Sequence, residues 1–278
     1  MLSENIAGLN TNAIKILIKQ GEIKLNGKKA ATADAQVDIN DQVSAFVPQK
    51  YLTQAKKTET QVKTIFSDKN ILIVFKPRQL DTENNLTDIV QKSHPTAMPA
   101  HRLDRNTAGL VVFGKTQEAL NSLFAMFKAR TIEKFYLAHT FGEFKKNGSL
   151  TAFLKKDPAK NIVTISDTEK AGYKKIISQF KLICTNKTYS TVQAKPLTGR
   201  THQLRAHLKH IGHPIVGDTK YSDKAFDSSQ KTQCLLAFKI IFLGPQSPLE
   251  YLKDRCFEVP KQQIEEFYQL LNPQNPQF

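Results

Sequence analysis

The chain has 278 residues, and its 40% hydrophobic content is enough for an ordinary buried core, so one or two globular domains are expected and wholesale disorder is excluded. Forty Lys and Arg residues against 25 Asp and Glu residues leave a formal charge of +15, which favours a polyanion such as nucleic acid as partner and leaves a merely basic protein as the alternative. Apolar runs are far shorter than the roughly 20 residues of a membrane-spanning helix, and no basic segment followed by an apolar stretch opens the chain, so we expect a cytoplasmic protein with no membrane partner.

Residues 1–48 are predicted to form one small α/β unit. An apolar helical face runs through Leu17 and ends at Gly21, and the Asn26-Gly27 dipeptide predicts a tight hairpin between two short strands. The helix, the hairpin and the Gly-x-Ile-x-Leu-Asn-Gly stretch resemble the S4 RNA-binding fold, although most of the usual first helix is missing. The lysines expected to contact RNA are Lys15, Lys19, Lys24 and Lys28. A basic surface hairpin without an RNA role is the alternative.

The rest of the chain divides into a linker, a larger domain and a tail. Residues 49–63 are rich in Lys, Thr and Gln without apolar periodicity, as in a linker, and residues 272–278 are expected to be a disordered tail. Between them, residues 64–271 show many strand patterns and few helical ones. The predicted strands are 71–75, 108–114, 133–140, 161–166, 174–184 and 189–195, and the predicted helices are 116–130 and one from about 201 to 212. This order predicts an α+β domain with a mostly antiparallel or mixed sheet and flanking helices.

A single carboxylate among potential cations stands just before a buried strand. Asp104 is flanked by His101, Arg102 and Arg105. Such neighbours favour the ionised carboxylate that a nucleophile needs at neutral pH, so Asp104 is the candidate catalytic residue. A turn in which Asp104 accepts backbone hydrogen bonds is the alternative. A kinase catalytic loop is excluded, because neither a glycine-rich loop nor an Asp-Phe-Gly segment accompanies these residues.

A second polar segment precedes the later helix. Gly199 is expected to allow a sharp turn and Thr201 to cap the helix, which places Arg205 in the first turn with donors for bidentate binding of a carboxylate. An exposed helical arginine is the alternative. No metal site is expected, since the histidines that follow have no acidic ligand beside them and the three cysteines are widely spaced.

Tyr136 lies in a segment that alternates as a strand does, on the same face as Lys134 and Ala138. Its ring offers a stacking surface and its hydroxyl a polar group. An ordinary core tyrosine is the alternative.

These motifs together resemble the RluA-type pseudouridine synthases over roughly residues 65–260. The family signature His-Arg-Leu-Asp-x-x-Thr-Ser-Gly-Leu matches residues 101–110, except that Ala108 replaces the usual serine. The further family motifs, in order, are Lys-x-Tyr-x-Ala at 134–138, Gly-Arg-Thr-His-Gln-Leu-Arg-x-His-Leu at 199–208 and Gly-His-Pro-Ile-x-Gly-Asp-x-x-Tyr at 212–221. The sequence departs from the family after Lys76-Pro77, where Arg78 stands in place of the usual glycine.

The resemblance implies that the chain isomerises uridine in structured RNA without a cofactor, and we expect it to act as a monomer. It implies that Asp104 acts on the sugar or the base, that Arg205 pairs with Asp104, and that Tyr136 stacks on the target base. The RNA contacts expected in this domain are His101, Arg102, Arg105, Arg200 and His202. The S4-like unit favours ribosomal RNA over transfer RNA.

Two other classes of function remain open. A nucleoside or glycoside hydrolase also places an aspartate beside a sugar but normally needs a second carboxylate at a defined separation, and none is apparent near Asp104. A non-catalytic RNA chaperone accounts for the charge and the S4-like unit but does not require Asp104, Tyr136 and Arg205 together.

Overall fold

The structure is a computed structural model that describes residue 9 and residues 11–32, 35–48, 62–222 and 230–270. The chain separates into two compact units between Gln61 and Val62. The predicted tail, most of the predicted linker and the segment in which a first S4 helix would stand lie outside the described residues. The end of the predicted linker is a correction, because Lys63 already begins a strand.

The smaller unit contains a helix and a three-stranded antiparallel sheet. Its elements are α1 (Thr11–Gln20), β1 (Ile23–Leu25), β2 (Lys28–Lys29) and β3 (Val43–Ala45), with β1 in the centre. The predicted hairpin is confirmed: Asn26 and Gly27 have φ angles of 51° and 76°, the left-handed values that a two-residue turn of this kind requires. Leu17 is fully buried in the unit's core. The four lysines predicted to contact RNA, Lys15, Lys19, Lys24 and Lys28, are all exposed.

The larger unit is built on one mixed sheet. Its strands are β4 (Lys63–Ser67), β5 (Ile71–Lys76), β6 (Met98–Pro99), β7 (Ala108–Gly114), β8 (Ile132–Phe141), β9 (Gly148–Asp157), β10 (Ile162–Ser166), β11 (Lys174–Thr185), β12 (Tyr189–Pro196), β13 (Leu235–Phe242) and β14 (Cys256–Glu258). The order is β10-β9-β11-β12-β8-β13-β7-β5-β4, with β14 added on β13 and β6 on β7. The pairing of β7 with β13 is parallel, and the other pairings among the described strands are antiparallel. The predicted mixed sheet is therefore confirmed.

Few helices accompany this sheet. They are a π-helical turn (Thr82–Leu86) that continues into α2 (Thr87–Gln91), then α3 (Gln117–Ala129), α4 (Gln203–His210), a 3-10 turn (Glu250–Leu252) and α5 (Lys261–Gln269). Within the described segments, no helix has the length and apolar character needed to cross a membrane.

Helices cover both faces of the central strands. Along β5, Ile71 and Ile73 belong to a core that includes side chains of α3 and α5, while Leu72 and Val74 belong to a second core with side chains of α2 and α4. Burial on both faces explains why the central strands read as continuous apolar runs instead of alternating patterns. Burying both faces also leaves polar chemistry to the strand ends and the loops.

One row of residues across the sheet brings two distant segments together. Tyr136 on β8 is in register with Ala237 on β13, and Ala237 is in register with Gly109 on β7. Gly109 has φ of 131°, and a Cβ atom at that position would lie 2.2 Å from the carbonyl oxygen of Ala237, so only glycine allows this approach. The loop before β7, which carries Asp104, is thereby held beside Tyr136.

Candidate active site

A cleft of about 400 Å³ opens on the sheet face that α4 covers. This volume is in the usual range for a ligand site. The cleft is lined by His101, Arg102, Leu103, Asp104, Thr107, Lys134, Tyr136, Lys156, Asn161, Pro196, Thr198, Gly199, Arg200, Thr201, His202, Gln203, Leu204, Arg205 and Leu235. The three predicted catalytic residues therefore share one cavity with four of the five residues predicted to contact RNA in this domain.

Asp104 and Arg205 are 101 positions apart in the chain and form a direct ion pair. The Arg205 Nη1 group donates a hydrogen bond of 2.8 Å to Asp104 Oδ2. The other oxygen of Asp104, Oδ1, lies 3.9 Å from His202 Nε2. The Asp104 side chain is one quarter exposed, so the carboxylate is held on one side and open to the cleft on the other.

The bidentate partner of Arg205 is Asp218, whereas Asp104, the carboxylate that the resemblance pairs with this arginine, receives one hydrogen bond. Nε and Nη2 of Arg205 donate to the two Asp218 oxygens at 2.7 and 2.9 Å. Asp218 follows Gly217, whose φ of 74° and close approach to the Thr232 carbonyl exclude a side chain. Burial alone lowers the pKa of Arg205, but the two carboxylates outweigh burial and raise it above its ordinary value, so the guanidinium stays charged.

Sequence reasoning missed the role of Asp218. The sequence did carry a signal for this role, because Asp218 is the one acidic residue of the 212–221 motif. A buried carboxylate requires partners, and its distance of only 13 residues from Arg205 made that arginine a reasonable choice.

The turn before α4 differs from the predicted one. Thr201 does not cap the helix: α4 begins at Gln203, and the residue at the cap position is His202, in the left-handed conformation with φ of 53°. Gly199 does not use a positive φ. The buried Gln203 amide holds the turn instead, because its oxygen accepts from the Thr198 hydroxyl and the Arg200 backbone N–H while its nitrogen donates to the Ile177 carbonyl on β11.

Tyr136 is 7% exposed and lines the cleft. Burial raises the pKa of its phenol, and the charge of Asp104 raises it further, so the hydroxyl is protonated at neutral pH. Lys134, two residues earlier on the same face, also lines the cleft, and burial lowers the pKa of its ammonium group. The cleft therefore offers an aromatic surface and a neutral hydroxyl near the Asp104 carboxylate, and a desolvated cation elsewhere in its lining.

Lys76 is a second feature that sequence reasoning did not assign. Its side chain is fully buried, and Nζ donates to the backbone carbonyls of Pro77, Leu80 and Arg105. Burial lowers the pKa of Lys76 to about 8, against the opposing charges of Asp104 and Asp81. Lys76 thus ties the loop after β5 to the loop that carries Asp104.

The three basic residues that flank Asp104 in sequence form hydrogen bonds with other partners. Arg102 pairs with Glu83 at the surface, Nε of Arg105 donates to the Gln79 carbonyl, and Nε2 of His101 accepts from the Val112 backbone N–H. The hydrogen bonds of these three side chains therefore go to groups other than the Asp104 carboxylate, although His101 and Arg102 line the same cleft. Arg200 is exposed at the edge of the cleft.

The site contains no recognisable metal centre in the described part of the chain, where no group of three or more His, Cys, Asp or Glu side chains is arranged to hold an ion. His202, His207 and His210 instead contact Tyr221, Ser178 and Asp167 respectively.

Comparisons with known proteins agree on one family. A family model described as RNA pseudouridylate synthase matches residues 48–210. An RNA pseudouridine synthase of Mycoplasma genitalium is 31% identical over 87% of this chain and 84% of its own length. The ribosomal large subunit pseudouridine synthase C of Vibrio vulnificus is 30% identical over 76% and 72%. The mitochondrial tRNA pseudouridine(32) synthase of Saccharomyces cerevisiae is 30% identical over 75% and 46%. The solved structure of human RNA pseudouridylate synthase domain containing 4 has a similar fold, with a TM-score of 0.60 at 20% identity over 75% of this chain and 93% of that one.

Proposed function

Because the chain belongs to the RNA pseudouridylate synthase family, we propose that it isomerises specific uridines in structured RNA to pseudouridine with Asp104 as the catalytic carboxylate. In this reaction the bond between N1 of uracil and C1′ of ribose breaks, the base turns, and a bond between C5 and C1′ forms. The C5 proton is released and N1 gains one, so the mass does not change.

The observation that carries the assignment of Asp104 is its contact with Arg205. The 2.8 Å hydrogen bond occupies one carboxylate oxygen and fixes the orientation of the group, while the other oxygen forms no hydrogen bond with any residue that the structure describes and lies 3.9 Å from His202 Nε2. This bond joins a guanidinium to a carboxylate and is therefore charge-assisted, which makes it stronger than a bond between neutral groups. Asp104 is thus a charged, oriented and accessible group that acts on the sugar or the base of the target uridine.

Tyr136 supplies the surface on which the target base stacks. Stacking on an aromatic ring contributes about 1–3 kcal/mol per base, and the neutral phenol beside Asp104 adds a hydrogen-bond donor. A uridine inside a helix does not reach this cleft, so the target nucleotide must be flipped out of the stack. In our proposal Arg102 contacts the RNA where the nucleotide leaves the helix, which is supported by its position in the cleft lining and by its exposed ion pair with Glu83, of the weak, surface type.

The cations around the cleft neutralise RNA phosphates. Arg200 and Lys156 line its edge and are exposed, and in the smaller unit the four exposed lysines form what we name the lysine face (Lys15, Lys19, Lys24 and Lys28). In our proposal the smaller unit is an S4-like RNA-binding domain, supported by its helix, hairpin and positive charge. His101 and Arg105 contribute to the RNA contacts of the cleft indirectly, since each forms a hydrogen bond with a backbone group of the larger unit.

We favour ribosomal RNA as the substrate and transfer RNA as the alternative. The names of two similar proteins support these two classes, one acting on the large ribosomal subunit and one on tRNA. Mapping pseudouridines in total RNA from cells with and without this gene decides between them, because the lost modification identifies both the RNA and the position.

A hydrolase is disfavoured by the second carboxylate of the site. Asp218 is 1% exposed, and both of its oxygens are bound to Arg205, so it is not available as the second acid or base of a glycosidase. The product separates the classes: an isomer of unchanged mass supports a synthase, free uracil supports a hydrolase, and unchanged RNA supports a chaperone.

The Asp104→Asn variant tests the proposed function. Asparagine keeps the size and one acceptor oxygen but removes the anion, so we expect isomerisation to fall below detection while RNA binding remains. Single-turnover release of tritium from C5-labelled uridine, measured beside filter binding, gives both quantities. Release at the parent rate would remove Asp104 from the mechanism.

A further inference from the structure

His202 has an unusual position between a buried hydroxyl and the catalytic cleft. It stands at the start of α4 with a left-handed backbone, and its side chain is 9% exposed. Nδ1 lies 2.8 Å from the Tyr221 hydroxyl, and Nε2 lies 3.9 Å from Asp104 Oδ1. The two ring nitrogens therefore face different surroundings, one inside the protein and one toward the reacting carboxylate.

The hydrogen bonds of Tyr221 determine which nitrogen of His202 carries the proton. The Tyr221 oxygen accepts a hydrogen bond of 3.0 Å from the Val163 backbone N–H on β10. A phenol has one proton to donate, and among the described residues Nδ1 of His202 is the acceptor within reach of it. When the Tyr221 hydroxyl donates that proton to Nδ1, the proton of the neutral imidazole is on Nε2.

The ring is neutral at physiological pH. Burial lowers the pKa of His202 to about 4, with Arg205 and Lys220 acting in the same direction and Asp104 in the opposite one. The Nε2–H group is thus an uncharged donor. At 3.9 Å it is too far from Asp104 Oδ1 for a hydrogen bond, so within the described structure it has no acceptor and points to the space beside the carboxylate.

We propose that His202 is a substrate-binding residue that donates its Nε2–H to an uncharged acceptor oxygen of the flipped-out nucleotide, and so holds that nucleotide beside Asp104. This inference rests on the proposed function. A neutral donor suits a neutral oxygen, either the ribose 2′-hydroxyl or a uracil carbonyl, whereas phosphate is served by the arginines and lysines at the cleft edge. The Val163, Tyr221 and His202 chain fixes the tautomer before RNA binds, so no proton has to move when the substrate arrives.

A pair of substitutions at His202 separates substrate contact from support of the fold. In His202→Asn the shorter amide still offers an oxygen to the Tyr221 hydroxyl and tolerates the left-handed backbone, but it does not reach the cleft. In His202→Gln the longer amide places an N–H near the Nε2 position. We expect the single-turnover rate to fall about tenfold in the Asn variant, the loss that corresponds to one uncharged hydrogen bond, and to recover largely in the Gln variant at an unchanged melting temperature. Equal rates in the parent and the Asn variant, or no recovery with Gln, would overturn the proposal.

RNA analogues identify the acceptor oxygen. Dissociation constants are measured in the Asp104→Asn background, where no turnover consumes the RNA, with uridine, 2′-deoxyuridine or 4-thiouridine at the target position. The His202→Asn change should weaken binding of the uridine RNA severalfold and have little effect on the analogue that lacks the acceptor. A loss of the same size with all three RNAs would contradict contact with the 2′-hydroxyl or the C4 carbonyl, and 2-thiouridine then tests the C2 carbonyl. If the His202→Asn change weakens binding by the same factor for every analogue, 2-thiouridine included, the inference is overturned.

The tautomer is checked without activity. Long-range ¹H–¹⁵N spectra of the parent, with the His202 signals assigned by their loss in His202→Asn, should show a protonated Nε2 and an unprotonated Nδ1 at pH 7. The Tyr221→Phe variant should lose this preference because the hydroxyl proton is gone. A protonated Nδ1 in the parent would contradict the proposal while leaving the role of Asp104 untouched, which keeps its failure distinct from that of the proposed function.

Discussion

Arg205 lies between two carboxylates with different tasks. Asp218 is buried and binds the guanidinium through two parallel hydrogen bonds, whereas Asp104 receives one bond and faces the cleft. A planar guanidinium held at two points has a fixed direction for its remaining donor. The orientation of Asp104 therefore depends on Asp218, a residue that has no reason to touch the substrate.

The Asp218→Asn variant tests this dependence. An amide keeps one acceptor for Arg205 but loses the charge and the second bond, so the guanidinium gains freedom to turn. We expect the single-turnover rate to fall by about tenfold to hundredfold, since small displacements of a catalytic group have effects of this order, together with a lower melting temperature because a buried charge loses its partner. A parent-like rate in a correctly folded Asp218→Asn protein would show that Asp104 is oriented without Asp218.

Among the elements, α5 contacts the sheet both through its apolar side chains and through a buried histidine, His139. His139 on β8 donates from Nε2 to the Phe267 carbonyl at 2.7 Å, accepts from the Thr191 hydroxyl at Nδ1, and stacks on the Phe267 ring with centroids 4.1 Å apart. Burial lowers the pKa of His139 to about 4. The neutral ring is thus part of the packing that holds the last helix.

This contact predicts a dependence of stability on pH. Above pH 6.5 His139 is neutral in the folded and unfolded states, but between pH 6.5 and about 4 the unfolded chain binds a proton that the folded state does not. Stability should therefore fall as the pH drops through this window, by about 3 kcal/mol from this residue alone. We expect His139→Gln to flatten the slope of melting temperature against pH only in part, because His101, His202 and His207 also have lowered pKa values.

Thr191→Val is the matched control for that measurement. It removes the hydrogen bond to Nδ1 without removing the titrating group, so it should lower the melting temperature at every pH and leave the slope unchanged. An identical slope in the parent and the His139→Gln protein would refute the assignment.

The elements also show why the sequence predicted some parts of the fold and not others. β7 was predicted with its observed bounds because a strand buried on both faces is a continuous apolar run. β9 and α5 were not predicted, since β9 is partly exposed and mixes lysines with small residues, and α5 has no side-chain cap to mark its start. Local patterns predict an element only where burial is regular.

The site follows the same rule. Asp104, Tyr136 and Arg205 were identified from motifs, but their distances depend on sheet register and on a left-handed turn at His202 that no local propensity indicates. The sequence also does not show which of the two carboxylates, Asp104 or Asp218, takes the two parallel hydrogen bonds of Arg205.

At the scale of the whole molecule, the formal charge of +15 predicts that the affinity for RNA depends on the salt concentration. Each phosphate contact with a lysine releases counterions, so affinity falls with salt in proportion to the number of contacts. The lysine face of the smaller unit is a candidate source of part of this dependence.

We expect a full-length variant with Gln at the four positions of the lysine face to bind RNA more weakly and with a shallower salt dependence. Four lost contacts reduce the slope of log K against log salt by up to about 3. A control variant with Arg at the same four positions keeps the positive charge, so its slope of log K against log salt should match that of the parent. Filter binding between low and moderate salt measures both, and an unchanged slope in the Gln variant would show that these lysines do not touch phosphate.

The parallel pairing of β7 with β13 affects how the enzyme is made. A ribosome delivers β7 and β8 long before β13, yet in the sheet these two strands meet only through β13. Until that strand emerges, the loop with Asp104 and the strand with Tyr136 have no common support, and closing so distant a contact is intrinsically slow. The smaller unit, whose helix and hairpin are local in sequence, does not have to wait. During its own synthesis the chain therefore completes the smaller unit, which we propose binds RNA, before it can assemble the cleft of the larger unit.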